Sequence, residues 1–329
     1  MFKFIVKRVL LSLLILFFVM FIVYTLMYSL PTSYMEKTAR EMAQRPGNLK
    51  SYQEWLQELN AAYGMDKGLI PGFFTWLGSA VTGNFGDSWF WTKPVTQVFH
   101  ESIWYSFALN VIALVIPVSI AIPLGVLAAR KQYSLTDYSV TVFALVGISL
   151  PSFFLATILK MVFAIKLGWF EPSGMQGRDH VTLSEFGKFM DVAWHFVLPS
   201  VNLCILSIGD LMRYTRTNML EVLNADYIRT ARAKGLAESR VINHHAFRNT
   251  LIPIVTIMGN WLAGLFGGSL ITETLFSIRG IGYVSYHSMI SGDIPFTMFY
   301  LAFSALLTMM GTLMSDILYA VVDPRVRIN

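Results

Sequence analysis

The sequence predicts an all-α, polytopic membrane protein with about six transmembrane helices and a small extracytoplasmic subdomain. Three observations predict it. Of the 329 residues, 55% are apolar and only 14% charged, whereas a water-soluble chain carries about 25% charged residues. Six runs approach the roughly 20 apolar residues that a helix needs to cross the hydrocarbon core. The Lys and Arg residues cluster in the segments that an even number of spans would place on one side.

The first run, residues 9–30, follows Lys3, Lys7 and Arg8. It is too long for a typical signal-peptide core and has no small-x-small site near its end, so it reads as an uncleaved span. The second, 102–129, holds no charge but includes Pro117 and Pro123. The third, 138–159, has Pro151 in its interior and Lys160 at its end, where a long amine can snorkel to the interface. The fourth, 192–212, is weaker, because it contains His195 and Asp210. Runs 250–272 and 294–315 complete the set, the last continuing past Asp316 to Val322. Six spans put both termini on one side. With that side inside, the inner segments hold fourteen Lys/Arg against five acids, and the outer segments ten against twelve. This is the positive-inside pattern of an inner-membrane protein with cytoplasmic termini.

The chain therefore divides into an N-terminal tail and first transmembrane helix (1–30), an extracytoplasmic subdomain (31–101) and a five-helix core (102–329). Within the subdomain, 49–63 places Tyr52, Trp55, Leu56 and Leu59 at helical spacing, which predicts a short amphipathic helix. The core includes one long polar loop, 213–249.

Composition and motifs exclude several functions. There is no Gly-x-x-x-x-Gly-Lys-Ser/Thr phosphate loop, so the chain is not expected to hold ATP by that route. Cys204 stands alone in an apolar run, which leaves no thiolate metal cluster. His244 and His245 are adjacent and project to different helix faces, whereas a helical metal pair prefers three or four residues of separation. No catalytic constellation and no metal site are expected, and the basic residues form no continuous patch for nucleic acid. A transporter without its own energy source either exploits an ion gradient or borrows ATP hydrolysis from another chain.

The polar loop favours borrowing. Its segment Asp226, Tyr227, Ile228, Arg229, Thr230, Ala231, Arg232, Ala233, Lys234 reads as a short helix. Tyr227, Ile228, Ala231 and Lys234 share one face, and Arg229 and Arg232 another. Gly235 tolerates positive φ and can end that helix. A second helix, 236–249, leads toward the span near Pro253. Such a helix–Gly–helix suits a cleft on another protein, although an amphipathic helix lying on anionic lipid has the same pattern.

The stretch 213–236, RYTRTNMLEVLNADYIRTARAKGL, closely resembles the cytoplasmic loop of dipeptide/oligopeptide ATP-binding-cassette (ABC) importer permeases. Further segments resemble that family in order: Ala62-Tyr-Gly-Met-Asp66, Gly83-Asn-Phe-Gly-Asp-Ser88, Ile122-Pro-Leu-Gly125 and Ser149-Leu-Pro-Ser-Phe153. Thr272-Glu-Thr-Leu-Phe276 with Gly280-Ile-Gly282, and Asp316-Ile-Leu-Tyr319 before Asp323-Pro-Arg325, follow. The large insertion after the first span is similar to the first-permease type. The resemblance implies a type I ABC importer permease fold and inward transport of di- or oligopeptides. It implies as partners a second permease, two ATPase subunits carrying the ATP and Mg, and an external binding protein, with membrane lipid around the spans. The same family also imports nickel chelates, glutathione or oligosaccharides. The rival from another class is an ion-coupled secondary transporter, which predicts inverted repeats and acids at mid-membrane.

By the same resemblance, residues 226–235 form the coupling helix that docks on an ATPase subunit. The broader importer motif is Glu-Ala-Ala-x-x-x-Gly. With Gly235 fixed, Arg229, Thr230 and Ala231 occupy its first three positions, so the charge is opposite where that motif has Glu. Arg279 stands where the family commonly has Pro in its Pro-Gly-Ile-Gly turn. Asp210, Glu273 and Asn260 are the candidate pathway or gate residues, since intramembrane acids generally face a cavity or a partner; Asp210 either lines the pathway, pairs with Arg213 or lies wet at the interface. Pro117, Pro123, Pro151 and Pro253 read either as hinges or as static kinks.

Overall fold

The computed structural model describes residues 2–29, 34–44, 50–62 and 67–322. Among these the regular elements are helical, with one isolated bridge between Asp87 and Pro94. The quoted motifs at 63–66 and 323–325 lie outside the described residues. The chain divides into two compact units, Met1–Ile103 with Val284–Met309, and Trp104–Tyr283 with Met310–Asn329.

The first unit contains α1 (Phe2–Tyr28), α2 (Tyr34–Ala43), α3 (Tyr52–Ala62) and α4 (Leu69–Val81). It also holds the start of α5 (Val95–Arg130), most of α13 (Ile281–Ile290) and the first part of α14 (Ile294–Val322). Helix α3 is the amphipathic helix expected at 49–63. Tyr52, Trp55, Leu56 and Leu59 are half-buried on one face. Its start is a capping box, in which Ser51 Oγ accepts from the Glu54 amide (3.3 Å) while the Glu54 carboxylate accepts from the Ser51 amide (2.6 Å). The core is Met20, Tyr24, Met27, Met35, Phe73, Trp89, Ile294 and Met298. Phe73 is fully enclosed, with the rings of Phe17, Phe21 and Tyr24 packed edge-on 5.1–5.7 Å away. At Gly72 a Cβ would fall 2.5 Å from the Tyr24 hydroxyl, so glycine is what lets α4 approach α1 there.

Asp293 organises the far end of this unit. Its fully buried carboxylate accepts from Ser88 Oγ (2.5 Å) and from the amides of Trp89 (3.1 Å), Phe90 (3.4 Å) and Phe296 (3.4 Å). The Gly83–Ser88 motif thus ends on this carboxylate, with Gly83 and Gly86 at positive φ forming the turns that lead to it. Burial pushes the Asp293 carboxyl above its ordinary range, against these donors.

The second unit contains the rest of α5, α6 (Leu135–Ser149), α7 (Ser152–Leu159), α8 (Glu185–Leu223), α9 (Asp226–Ala233) and α10 (Glu238–Arg240). Helices α11 (Phe247–Gly264) and α12 (Leu270–Phe276) follow. In lipid, helices associate through close packing and interhelical hydrogen bonds, and α8 provides both. A Cβ on Gly209 would lie 2.9 Å from the Ala144 carbonyl of α6, and one on Gly125 of α5 would lie 2.8 Å from the Met212 carbonyl. At the end of this contact Arg216 forks onto Asp137 at 2.5 and 2.9 Å, with the Asp137 side chain 3% exposed.

Among the described residues four helices are long and apolar enough to cross a membrane, and five if α6 and the bent continuation Ser152–Lys166 count as one. Two of the about six expected runs are interrupted. The third run bends by 101° at Leu150–Pro151. Proline disfavours helical geometry in the residue before it, and Leu150 is extended (ψ 124°); Pro151 therefore opens α7. The fifth run breaks after Gly264, where Gly267 and Gly268 (φ +78°) occupy the turn before α12. The fourth run, in contrast, is longer than expected. At 39 residues α8 measures about 58 Å, well beyond the roughly 30 Å hydrocarbon core. Residues 213–223 of the supposed loop are its continuation.

Candidate functional site

The segment after α8 folds as a compact knob. Its core is Ala129, Met219, Ile228, Ala231, Val241, Ile242 and Ala246, with Leu236 packed against it. Helix α9 ends as the sequence predicts. Gly235 has φ +75°, the Leu236 amide reaches back to the Ala231 carbonyl (3.4 Å), and the Lys234 amide to Thr230 (3.0 Å). The six-to-one bond is that of a Schellman ending. Arg232 bridges the turn to Glu238 at 2.8 Å, which holds that carboxyl below its ordinary range. A depressed carboxylate contributes stability above its unfolded pKa that is lost as pH falls through the folded one. Both side chains are about half-exposed, so the contribution is small. Beyond α10, a π turn at Val241–Ala246 leads directly into α11.

The face that Tyr227, Ile228, Ala231 and Lys234 were expected to share divides into a buried and an exposed part. Ile228 is 0% exposed and Ala231 7%, both turned into the knob's own core. The exposed surface of α9 is Asp226, Tyr227, Arg229, Thr230, Arg232, Ala233 and Lys234. Tyr227, Thr230 and Lys234 are spaced to form one outward stripe. Amphipathicity was legible in the sequence, but the side of α9 that faces its own chain was not, because the partners of Ile228 and Ala231 come from α5, α8 and the π turn.

The three candidate pathway residues separate. Asp210 is exposed and lines a cavity of about 360 Å³ with Asn110, Pro117, Ser207, Trp261 and Ser269, all within the second unit. It forms no pair with Arg213 among the described residues. Glu273 is 0% exposed and does not line that cavity. It accepts from Ser106 Oγ (2.7 Å), the Ser269 amide (2.8 Å) and the Tyr283 amide (2.9 Å), while Ser106 Oγ accepts from the Ile281 amide (2.7 Å). Gly280 and Gly282 are required beside it: a Cβ on either would approach Glu273 Oε2 to 2.5 or 3.0 Å. The Thr272–Phe276 and Gly280–Gly282 motifs therefore form one buried knot. Asn260 falls within α11, and its side chain lies outside what the structure describes.

Three arrangements had no signal in the sequence. Asp137–Arg216 joins residues 79 apart and Asp293–Ser88 residues 205 apart. Asp191 gathers His180 Nδ1 at 2.6 Å and the Gly177 amide at 3.0 Å. Such long-range pairs leave no local pattern.

Helices long and apolar enough to cross a membrane, with a helix–Gly–helix knob after α8, are features of a membrane component. The chain belongs to the family of binding-protein-dependent transport system inner membrane components. The model of that family matches residues 121–328, and the model of the N-terminal region of such membrane components matches residues 1–98. It is similar to the oligopeptide transport system permease protein AppB of Bacillus subtilis, at 38% identity over 80% of this chain and 82% of that one. It is also similar to the dipeptide transport system permease protein DppB of Lactococcus lactis subsp. cremoris, at 34% identity over the whole of both chains.

Proposed function

We propose that the chain is one of two permease subunits of an ABC importer that carries di- or oligopeptides inward. The names of the relatives support the peptide, and the exposed stripe of α9 supports the coupling. In this reading an external binding protein delivers substrate, and two separate ATPase subunits hold ATP and Mg. The chain itself binds no cofactor and is not an enzyme. Both termini and the α9 knob face the cytoplasm, and residues 31–101 face outward.

The observation that carries the mechanism is the packed core of the knob. Because Ile228 and Ala231 anchor α9 to the ends of α5 and α8, a push on Tyr227, Thr230 and Lys234 is transmitted to two long helices. Closure of the ATPase pair thereby shifts helices that lead into the transmembrane region. Residues 226–235 are thus the docking element, with the outward stripe as its contact face. The test is capture of the ATPase subunits by the complete permease pair. Tyr227→Ala and Thr230→Trp should each weaken capture and peptide uptake, while Arg229→Ala, at a 73% exposed side chain, should have little effect. Normal capture by both stripe variants would refute docking through this face.

A further inference from the structure

We propose that the cavity lined by Asp210 is a subsite for the basic side chain of a transported peptide, a lysine ammonium or arginine guanidinium. The proposal rests on the reading of the chain as a peptide permease. Asp210 sits on α8, a membrane-crossing helix, where an ionised acid is costly unless it faces a wet cavity or a partner. It is exposed, and among the described residues it carries no ion pair and is the only ionisable side chain lining the cavity.

The walls suit a cation. Pro117 has no N–H to give the Ala113 carbonyl one turn earlier, and both residues line the cavity, which leaves an acceptor without its helical donor. Asn110 is fixed on two sides: its amide donates to the Leu265 carbonyl (3.1 Å) and its oxygen accepts from Ser269 Oγ (2.8 Å). The Ser269 amide is held in turn by Glu273, so the buried knot rigidifies this wall. Trp261 adds an aromatic ring, which attracts cations at its face. A volume of about 360 Å³ lies at the lower end for small-molecule sites and accommodates one side chain, not a whole peptide. An anionic side chain would meet only the Asp210 charge.

The test uses the complete transporter in proteoliposomes with three peptides, Ala-Ala-Ala, Ala-Lys-Ala and Ala-Glu-Ala. A charged hydrogen-bonded contact corresponds to roughly tenfold or more in affinity. Asp210→Asn should therefore lower the Lys-to-Ala uptake ratio about tenfold and raise the Glu-to-Ala ratio, and Asp210→Glu should keep the wild-type order. Unchanged ratios, or an equal fall for all three peptides, would overturn the subsite. If wild-type transporter imports none of the three, the peptide reading itself fails. The subsite is then read by carbodiimide labelling of Asp210 in the purified transporter. Protection by N-acetyl-lysine methylamide and not by its norleucine counterpart supports it, and absence of protection overturns it.

Discussion

At the scale of single residues, Ala231 and Tyr227 lie four positions apart on one short helix and have opposite environments, one buried and one exposed. Ala231 is enclosed by its own chain, so Ala231→Trp overpacks the knob and should cost about 1–3 kcal/mol or more. Thermal unfolding and protease resistance of the purified chain would register it even without any ATPase subunit. Tyr227→Ala removes an exposed side chain and should leave stability within about 0.5 kcal/mol. Asp293 makes a second residue-scale case. Its carboxyl is raised by burial, so the protonated form contributes stability that is present at acid pH and lost as pH rises through the raised folded value. The stability advantage of wild type over Asp293→Asn should accordingly be larger near about pH 4 than near about pH 7, measured by thermal unfolding of the two proteins. A difference that is flat with pH would contradict the assignment. The sequence marked Gly235 correctly, since a glycine after a helical pattern has a local physical meaning. It could not mark Asp293 or separate Glu273 from Asp210, because a carboxylate's burial depends on what folds over it.

Among elements, α8 is the axis of the second unit, and its connection to α6 is the one most exposed to test. The Asp137 carboxylate is 3% exposed and Arg216 is its forked partner. Removing one member of such a pair leaves an uncompensated charge, so Arg216→Met should destabilise by about 3 kcal/mol. Replacing both, as Asp137→Leu with Arg216→Met, should recover much of that loss; a double variant as unstable as the single one would show that the pair acts otherwise. Helices with a strong period or a long apolar run were legible, including α1, α3, α5 and α14. The breaks were less so. Pro151 stood in an unbroken apolar run, and composition cannot distinguish a kink from a 101° bend. The length of α8 was hidden by its polar end, where 213–223 reads as loop in lipid terms yet stays helical because Met219 and Thr215 are packed.

For the whole molecule, the segregation of fourteen inner Lys/Arg against five acids carries the proposed topology. Cysteine placed at exposed Gln53 should label from outside intact cells, and cysteine at exposed Asn243 should not; the reverse pattern would invert the orientation. The multi-pass character was legible from hydropathy alone, whereas the division into two units was not, because α13 and α14 return to residues near the start of the chain. The central claim is that transport through this chain is driven by ATP hydrolysis on other subunits. Peptide uptake into proteoliposomes containing the complete transporter and loaded binding protein measures this most directly. The account predicts uptake that requires ATP on the ATPase side, persists when ion gradients are collapsed, and stops with Thr230→Trp. Uptake driven by an ion gradient without ATP, or ATP turnover by the isolated chain, would contradict it.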